Sequence, residues 1–127
     1  MKIEHVAIYV HDLDAARDFF IRYFGATAGE PYYNGKTGLQ TYFLTLDRGA
    51  RLELMTRPDM AARSTAPVQA GLTHLAFGAG SREAVNALTE RLFNDGYTVV
   101  SAPRVTGDGY YESWVLGPEG VRLEITI

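Results

Sequence analysis

The sequence repeats itself, and that repeat constrains the fold more than any other feature. Ile3-Glu4-His5-Val6-Ala7-Ile8 and Leu72-Thr73-His74-Leu75-Ala76-Phe77 share an apolar, polar, His, apolar, Ala, apolar order at a separation of 69 (74 − 5). Further along, Gly25, Gly38, Gly49, Arg51, Leu52 and Glu53 return as Gly96, Gly109, Gly120, Arg122, Leu123 and Glu124, now at a separation of 71 (124 − 53). Self-similarity at a long fixed period means that one supersecondary unit is built more than once. The chain of 127 residues is therefore expected to be two copies of one pattern with a connection between them.

Each copy reads the same way. A β-branched and apolar run, 3 to 10 and then 72 to 77, has the character of a buried strand. A helix follows. In the first copy Asp12 is placed to cap a segment in which Leu13, Ala16, Phe19, Phe20 and Tyr23 recur at helical spacing, with Gly25 as the stop. In the second, Ser81 is placed to cap Arg82 to Asn94, with Val85, Leu88 and Leu92 on one face and Asp95-Gly96 at the end. Three shorter strand candidates come after each helix, around 26 to 33, 39 to 46 and 50 to 55, and around 97 to 101, 110 to 116 and 121 to 127. Asp47-Arg48-Gly49 and Gly117-Pro118-Glu119-Gly120 are turn sequences, so the last two strands of each copy are expected to form a hairpin. Each half is thus βαβββ. The expected fold is α+β, a single domain of two modules (1–55 and 72–127) joined by a linker over 56–71. Its sheet is expected to be mixed and curved, with the helices on the outer face and a concave face left open.

Composition narrows the chemistry. Apolar residues are 46% and charged residues 21% of the chain, with a net charge of −3, which is ordinary for a globular protein. There is no block of Lys or Arg to neutralise a run of phosphates, so nucleic acid is not an expected partner. No stretch approaches the roughly 20 apolar residues that span a bilayer, and MKIEHVAIYV lacks the form of a signal peptide, so a membrane partner is not expected and a cytoplasmic location is the default. The absence of cysteine excludes disulfides, thiolate metal sites and cysteine nucleophiles. Any metal must be held by His, Asp or Glu.

Alternation along a strand puts His5 on a face with Ile3, Ala7 and Tyr9, and His74 with Leu72, Ala76 and Gly78. Glu53 shares a face with Arg51 and Met55, and Glu124 with Arg122 and Thr126, while Leu52, Leu54, Leu123 and Ile125 face away. A single His in a strand is ordinarily a satisfied structural residue, and a single Glu among leucines ordinarily marks the wetter side of a strand. The joint pattern is different. A His in the first strand and a Glu in the last, in both copies, are four ligand types at pseudo-symmetric positions that can converge on one face. Ionised carboxylates on a partly buried face are costly unless paired or metal-bound.

These residues carry a resemblance. Glu4-His5-Val6-Ala7 with Asp12-Leu13 and Phe19-Phe20 through Phe24-Gly25, then Arg51-Leu52-Glu53-Leu54, Thr73-His74-Leu75-Ala76-Phe77 and Gly117-Pro118-Glu119-Gly120-Val121-Arg122-Leu123-Glu124 are similar to the motifs of the vicinal oxygen chelate superfamily, the glyoxalase, bleomycin resistance and dioxygenase family built from paired βαβββ modules. The resemblance spans essentially the whole chain. It implies that His5, Glu53, His74 and Glu124 occupy the four metal-ligand positions, a His/Glu/His/Glu set similar to that of bacterial glyoxalase I, or lactoylglutathione lyase. Thiol transferases and extradiol dioxygenases of the superfamily usually present two His and one Glu, so Glu53 is an extra carboxylate relative to them. Bleomycin-resistance proteins, which bind a drug without a metal, lack the set; a thiol transferase or extradiol dioxygenase, and a metal-free drug-binding protein of that kind, stand as the alternatives to the lyase.

The implied reaction converts the hemithioacetal of a 2-oxoaldehyde and a thiol, such as glutathione, into a 2-hydroxyacyl thioester. It needs a Lewis acid for the substrate oxygens and a carboxylate to lift a carbon-bound proton and return it to the neighbouring carbon. Glu124 is the first candidate for the base and Glu53 the second. Nickel or zinc is implied by the resemblance, and cobalt, manganese or iron accept the same donors. Arg17, Lys36 and Arg104 are weaker candidates for the carboxylates of a thiol, as is the segment Asp108 to Glu112 for the rim of the pocket. His11 falls outside the ligand set, and Met55 is a candidate lining residue. A curved sheet of this size would leave a face uncovered, and symmetric dimers are the commonest oligomer, so a homodimer is expected.

Overall fold

A computed structural model describes residues 1–62, 64 and 68–127. The chain divides into two compact units, Met1–Ser64 and Thr65–Ile127. The first runs β1 (His5–Tyr9), α1 (Leu13–Phe24), β2 (Thr27–Ala28), β3 (Tyr32–Tyr33), β4 (Gln40–Thr45) and β5 (Arg51–Thr56). The second runs β6 (Leu75–Gly78), α2 (Arg82–Asn94), β7 (Val99–Val105), β8 (Tyr111–Leu116), a 3-10 turn (Pro118–Gly120) and β9 (Arg122–Thr126). The class is α+β, and each unit carries its own mixed sheet.

Both sheets follow one plan. In the first unit the order is β1-β5-β4-β2, with β3 also on β4. In the second it is β6-β9-β8-β7. The first strand of each unit pairs parallel to the last, β1 with β5 and β6 with β9, and the hairpins β4–β5 and β8–β9 are antiparallel. A parallel pair cannot be closed by a tight turn. Each unit bridges its pair with a helix and the strands that follow.

The caps are those the sequence offers. Asp12 accepts a hydrogen bond from the Ala15 N–H at 2.9 Å, and Gly25 ends α1 at φ 65°, a conformation that a side chain disfavours. Ser81 accepts from the Ala84 N–H at 3.1 Å. In α1 the buried face is Leu13, Ala16, Phe19, Phe20 and Tyr23, the five residues the spacing picks out. In α2 it is Val85, Thr89 and Leu92, with Leu88 only half-buried. Thr89 is tolerated inside because its hydroxyl donates to the Val85 carbonyl at 2.6 Å and shares a 2.6 Å bond with Ser113, which is itself fully buried.

Each core lies between the helix and one face of its own sheet. Leu44, Leu52 and Leu54 are buried in the first unit, and Val115, Leu123 and Ile125 in the second. The alternation that buries Leu52, Leu54, Leu123 and Ile125 sends Glu53 and Glu124 to the opposite face. Several boundaries differ from those the sequence predicts. The expected strand over 26–33 is two short pieces, because Gly29 and Pro31 interrupt it and Pro31 has no N–H for a ladder. β7 extends to Val105 with two irregularities in its register against β8. β6 begins at Leu75, so His74 stands immediately before the strand rather than within it. Of the expected linker, Thr56 belongs to β5, and residues 63 and 65–67 lie outside the described residues. Among the described residues no helix is long and apolar enough to cross a membrane.

Candidate metal centre

In the first unit, β1 and β5 lie side by side with His5 opposite Arg51 and Ala7 opposite Glu53. This parallel register brings His5 Nε2 to 3.7 Å from Glu53 Oε2. The Glu53 side chain is 15% exposed and that of His5 is 42% exposed. The other imidazole nitrogen is engaged, as His5 Nδ1 donates to Glu4 Oε2 at 2.5 Å. Glu4 is pinned in turn by Arg51, whose Nε donates to Glu4 Oε1 at 2.8 Å. These contacts, the His5 hydrogen bond first and then Arg51, hold the Glu4 carboxyl below its usual range. Phe43, opposite Glu53 on β4, meets the His5 ring edge-on at 5.4 Å.

The second unit repeats the arrangement with different supports. His74 Nε2 lies 3.4 Å from Glu124 Oε2, with the carboxylate side chain 14% exposed. His74 Nδ1 shares a hydrogen bond with the Thr73 hydroxyl at 2.9 Å. Trp114, opposite Glu124 on β8, lies against the His74 ring with centroids 4.7 Å apart. Its indole N–H donates to Glu112 at 3.0 Å. Burial raises the Glu124 carboxyl above its ordinary value, the charge of Glu112 adds to this, and His74 opposes it.

The donor chemistry suits a divalent cation. In both pairs the Nδ1 atom has a partner and Nε2 is turned toward a carboxylate, which is the way protein imidazoles are held for metal ligation. Two donors each about 2.0–2.2 Å from one ion are about 3–3.5 Å apart, longer than an ordinary N–H···O bond. The 3.4 Å of His74 and Glu124 falls in that range, and the 3.7 Å of His5 and Glu53 lies slightly beyond it. The structure thus brings the four predicted ligands together two by two. Among the described residues no group of three or more His, Asp or Glu is gathered so as to hold one ion.

The other sequence candidates stand elsewhere. Arg17 is committed to Asp14, Asp18 and the Tyr42 hydroxyl, all within 2.8 Å, and these contacts raise its proton affinity further. Arg104 donates to Ser101 Oγ. Lys36 lies in the turn between β3 and β4, where its backbone N–H donates to Asn34 Oδ1. His11 is exposed between β1 and α1, and Met55 is half-buried on β5. Of the segment Asp108 to Glu112, the first three residues form the turn before β8 and Glu112 is buried beside the second pair. The sequence reading passed over Phe43, Trp114 and the specific part of Glu112. The same 71-residue offset relates Phe43 to Trp114 and Thr41 to Glu112 (114 − 43 and 112 − 41), so the repeat held the signal.

Comparison with known proteins agrees with this architecture. The model of the family described as Glyoxalase/Bleomycin resistance protein/Dioxygenase superfamily matches residues 2–125. The uncharacterized protein YqjT of Bacillus subtilis (strain 168) is 27% identical over 126 residues, covering 97% of this chain and 96% of its own length. A solved structure of a possible glyoxalase from Bacillus cereus is 28% identical, covers 100% of this chain and 99% of its own, and superposes with a TM-score of 0.73. The crystal structure of lactoylglutathione lyase from Agrobacterium tumefaciens, 23% identical with a TM-score of 0.68, covers 98% of this chain and 91% of its own and shares the fold.

Proposed function

We propose that this chain, which belongs to the glyoxalase/bleomycin resistance protein/dioxygenase superfamily, is a metal-dependent lyase of the glyoxalase I type with His5, Glu53, His74 and Glu124 as its ligands. The observation that carries the reading is the duplicated pair. Twice, at equivalent registers, an imidazole Nε2 faces a sparingly exposed carboxylate at 3.4 or 3.7 Å while its Nδ1 is held by a neighbour. A similar fold in a protein that is a lactoylglutathione lyase supports the same direction.

A bound divalent cation would supply Lewis-acid polarisation of vicinal substrate oxygens. The remaining work falls to side chains. Glu124 removes the proton from the carbon that bears the sulfur and hydroxyl of a hemithioacetal and delivers it to the adjacent carbonyl carbon, while the hydroxyl proton passes to the former carbonyl oxygen, so that a 2-hydroxyacyl thioester leaves with no net change in atoms. In the metal-free chain, burial and Glu112 raise the proton affinity of its carboxyl above that of a free carboxylate. Glu53, its counterpart in the first unit, is the second candidate. His5 and His74 would serve as ligands through Nε2, oriented by Glu4 and Thr73. Nickel or zinc is the proposed ion, with cobalt, manganese or iron compatible with the same donors, and glutathione or another thiol the proposed co-substrate. The active form is proposed to be a cytoplasmic homodimer.

The test is elemental analysis of purified protein, wild type against Glu124→Ala, followed by assay of the metal-loaded form with the methylglyoxal–glutathione hemithioacetal. The reading predicts about one bound ion per four-ligand set, weakened in the variant, together with turnover. Metal without turnover keeps the centre and assigns it to another thiol adduct. No metal under any loading condition refutes the mechanism.

A further inference from the structure

The two pairs differ in how their imidazoles are oriented, and the difference singles out Glu112. In the first unit the Nδ1 partner of His5 is a carboxylate fixed by Arg51, which makes a strong and directional support. In the second the partner of His74 is the Thr73 hydroxyl, a rotor that holds a ring less firmly. The aromatic neighbour changes in step. Phe43 lies opposite Glu53 and Trp114 opposite Glu124 in the same register. Phe43 has no polar handle, and the matching position two residues earlier on its strand is the buried Thr41. Trp114 has an indole N–H, and two residues earlier stands Glu112, 8% exposed, accepting that N–H at 3.0 Å. The indole donor and the carboxylate acceptor are thus both present in the second unit, whereas the first has neither an indole nor a carboxylate at these positions.

We infer that Glu112 is a positioning residue: it anchors the Trp114 indole, and the anchored indole fixes the orientation of the His74 ring. Burial of a carboxylate is costly without such a contact, and a neutral residue would fill the space without the penalty. The indole meets the imidazole at 4.7 Å with the planes 58° apart, so rotation of the His74 ring about its Cβ–Cγ bond runs into Trp114. Glu112 therefore does for His74, through Trp114, what Glu4 does for His5 directly. The consequence for metal affinity rests on the proposed lyase reading, whereas the consequence for ring order does not.

Trp114 is the only tryptophan, so its indole N–H gives one assignable signal in a ¹⁵N-labelled sample. The experiment compares chelator-treated wild type with Glu112→Ala, Glu112→Gln and Trp114→Phe. In Glu112→Ala the indole N–H is expected to exchange with solvent roughly tenfold faster and the His74 ring signals to broaden. Glu112→Gln, whose amide oxygen still accepts the N–H, is expected to keep both near wild type. Trp114→Phe should broaden His74 even though Glu112 is intact. Zinc or nickel affinity should fall about 10- to 100-fold in Glu112→Ala and be largely restored in Glu112→Gln. Sharp, unshifted His74 signals in both Glu112→Ala and Trp114→Phe overturn the inference, and so does a Glu112→Gln protein that behaves like the alanine variant. If Glu112→Ala does not fold, the glutamine and phenylalanine variants decide. Should wild type bind neither ion, the lyase reading fails while the ring signals still decide the part of Glu112.

Discussion

Replacing Glu124 with glutamine is expected to stabilise the metal-free protein at neutral and alkaline pH and, on the proposed metal-centre reading, to weaken its response to metal. The Glu124 side chain is 14% exposed, and the nearby Glu112 is 8% exposed. Burial and the Glu112 charge both raise the Glu124 carboxyl above the 4.5 of a free glutamate, and His74 offsets only part of this. The native state therefore holds a proton more tightly than the unfolded chain. Stability then falls as pH rises through the interval just above 4.5, because native protein must surrender a proton the unfolded chain has already lost. Below that interval both states are protonated and the slope vanishes. Glutamine keeps the shape and removes the titration. For a carboxylate that retains some contact with water, the gain at pH 8 should be about 1 kcal/mol, at the low end of the cost of burying an under-compensated polar group. For a chain of this size that is a rise of about 3–6 °C in Tm. Thermal unfolding followed by circular dichroism at pH 4 and pH 8, in the presence of a chelator, measures it directly: the curves should coincide at pH 4 and separate at pH 8. Zinc or nickel at a concentration that loads wild type should reverse the order, since wild type gains more of the binding free energy than the weakened variant. A chelated variant less stable than wild type at pH 8 would refute the account of Glu124 as a strained carboxylate awaiting a cation.

Three further outcomes follow from the same geometry. Ile125→Ala, which empties a fully buried position on the strand that carries Glu124, should cost about 2–5 kcal/mol in urea denaturation and leave metal stoichiometry unchanged once the protein is folded. Asp12→Ala, which removes the cap on the Ala15 N–H, should cost about 1 kcal/mol by the same measurement, with Asp12→Asn close to wild type. Glu4→Ala frees both His5 Nδ1 and Arg51 and should weaken metal binding about 10- to 100-fold in calorimetric titration, with a smaller loss for Glu4→Gln.

The parts of the fold that were legible in the sequence are those decided locally. The α1 face of Leu13, Ala16, Phe19, Phe20 and Tyr23 follows from 3.6-residue spacing, and its ends follow from Asp12 and Gly25. What was illegible depends on contacts across the sheet. Thr89 displaces Leu88 from the core only because Ser113 supplies a partner on a strand 24 positions away. The early end of β2 and the late start of β6 depend on which strand each piece pairs with, which no window of sequence contains. The four candidate ligand positions stood out through the repeat, whereas Glu112 fell only within a candidate pocket rim and nothing local singled out Trp114. Their relation appears only when register sets Trp114 opposite Glu124 and Glu112 opposite Thr126.

The repeat also explains why carboxylates sit on these strands at all. In β5 and β9 alternate residues enter the core, so the residue between two buried leucines, or between Leu123 and Ile125, is fixed on the opposite face with almost no freedom of its own. A ligand placed there is preorganised by the packing of its neighbours, without recourse to a loop. Each unit then needs only a first strand in parallel register to bring a histidine alongside, and His5 at the start of β1 and His74 directly before β6 are so placed. Duplication delivers two such pairs from one folding solution. It also leaves each unit free to change its supports separately, and the change from Glu4 and Phe43 to Thr73, Trp114 and Glu112 is where the two have diverged. Weakening either support set should therefore loosen its own histidine and spare the other, an asymmetry that a merely generic loss of packing would not produce.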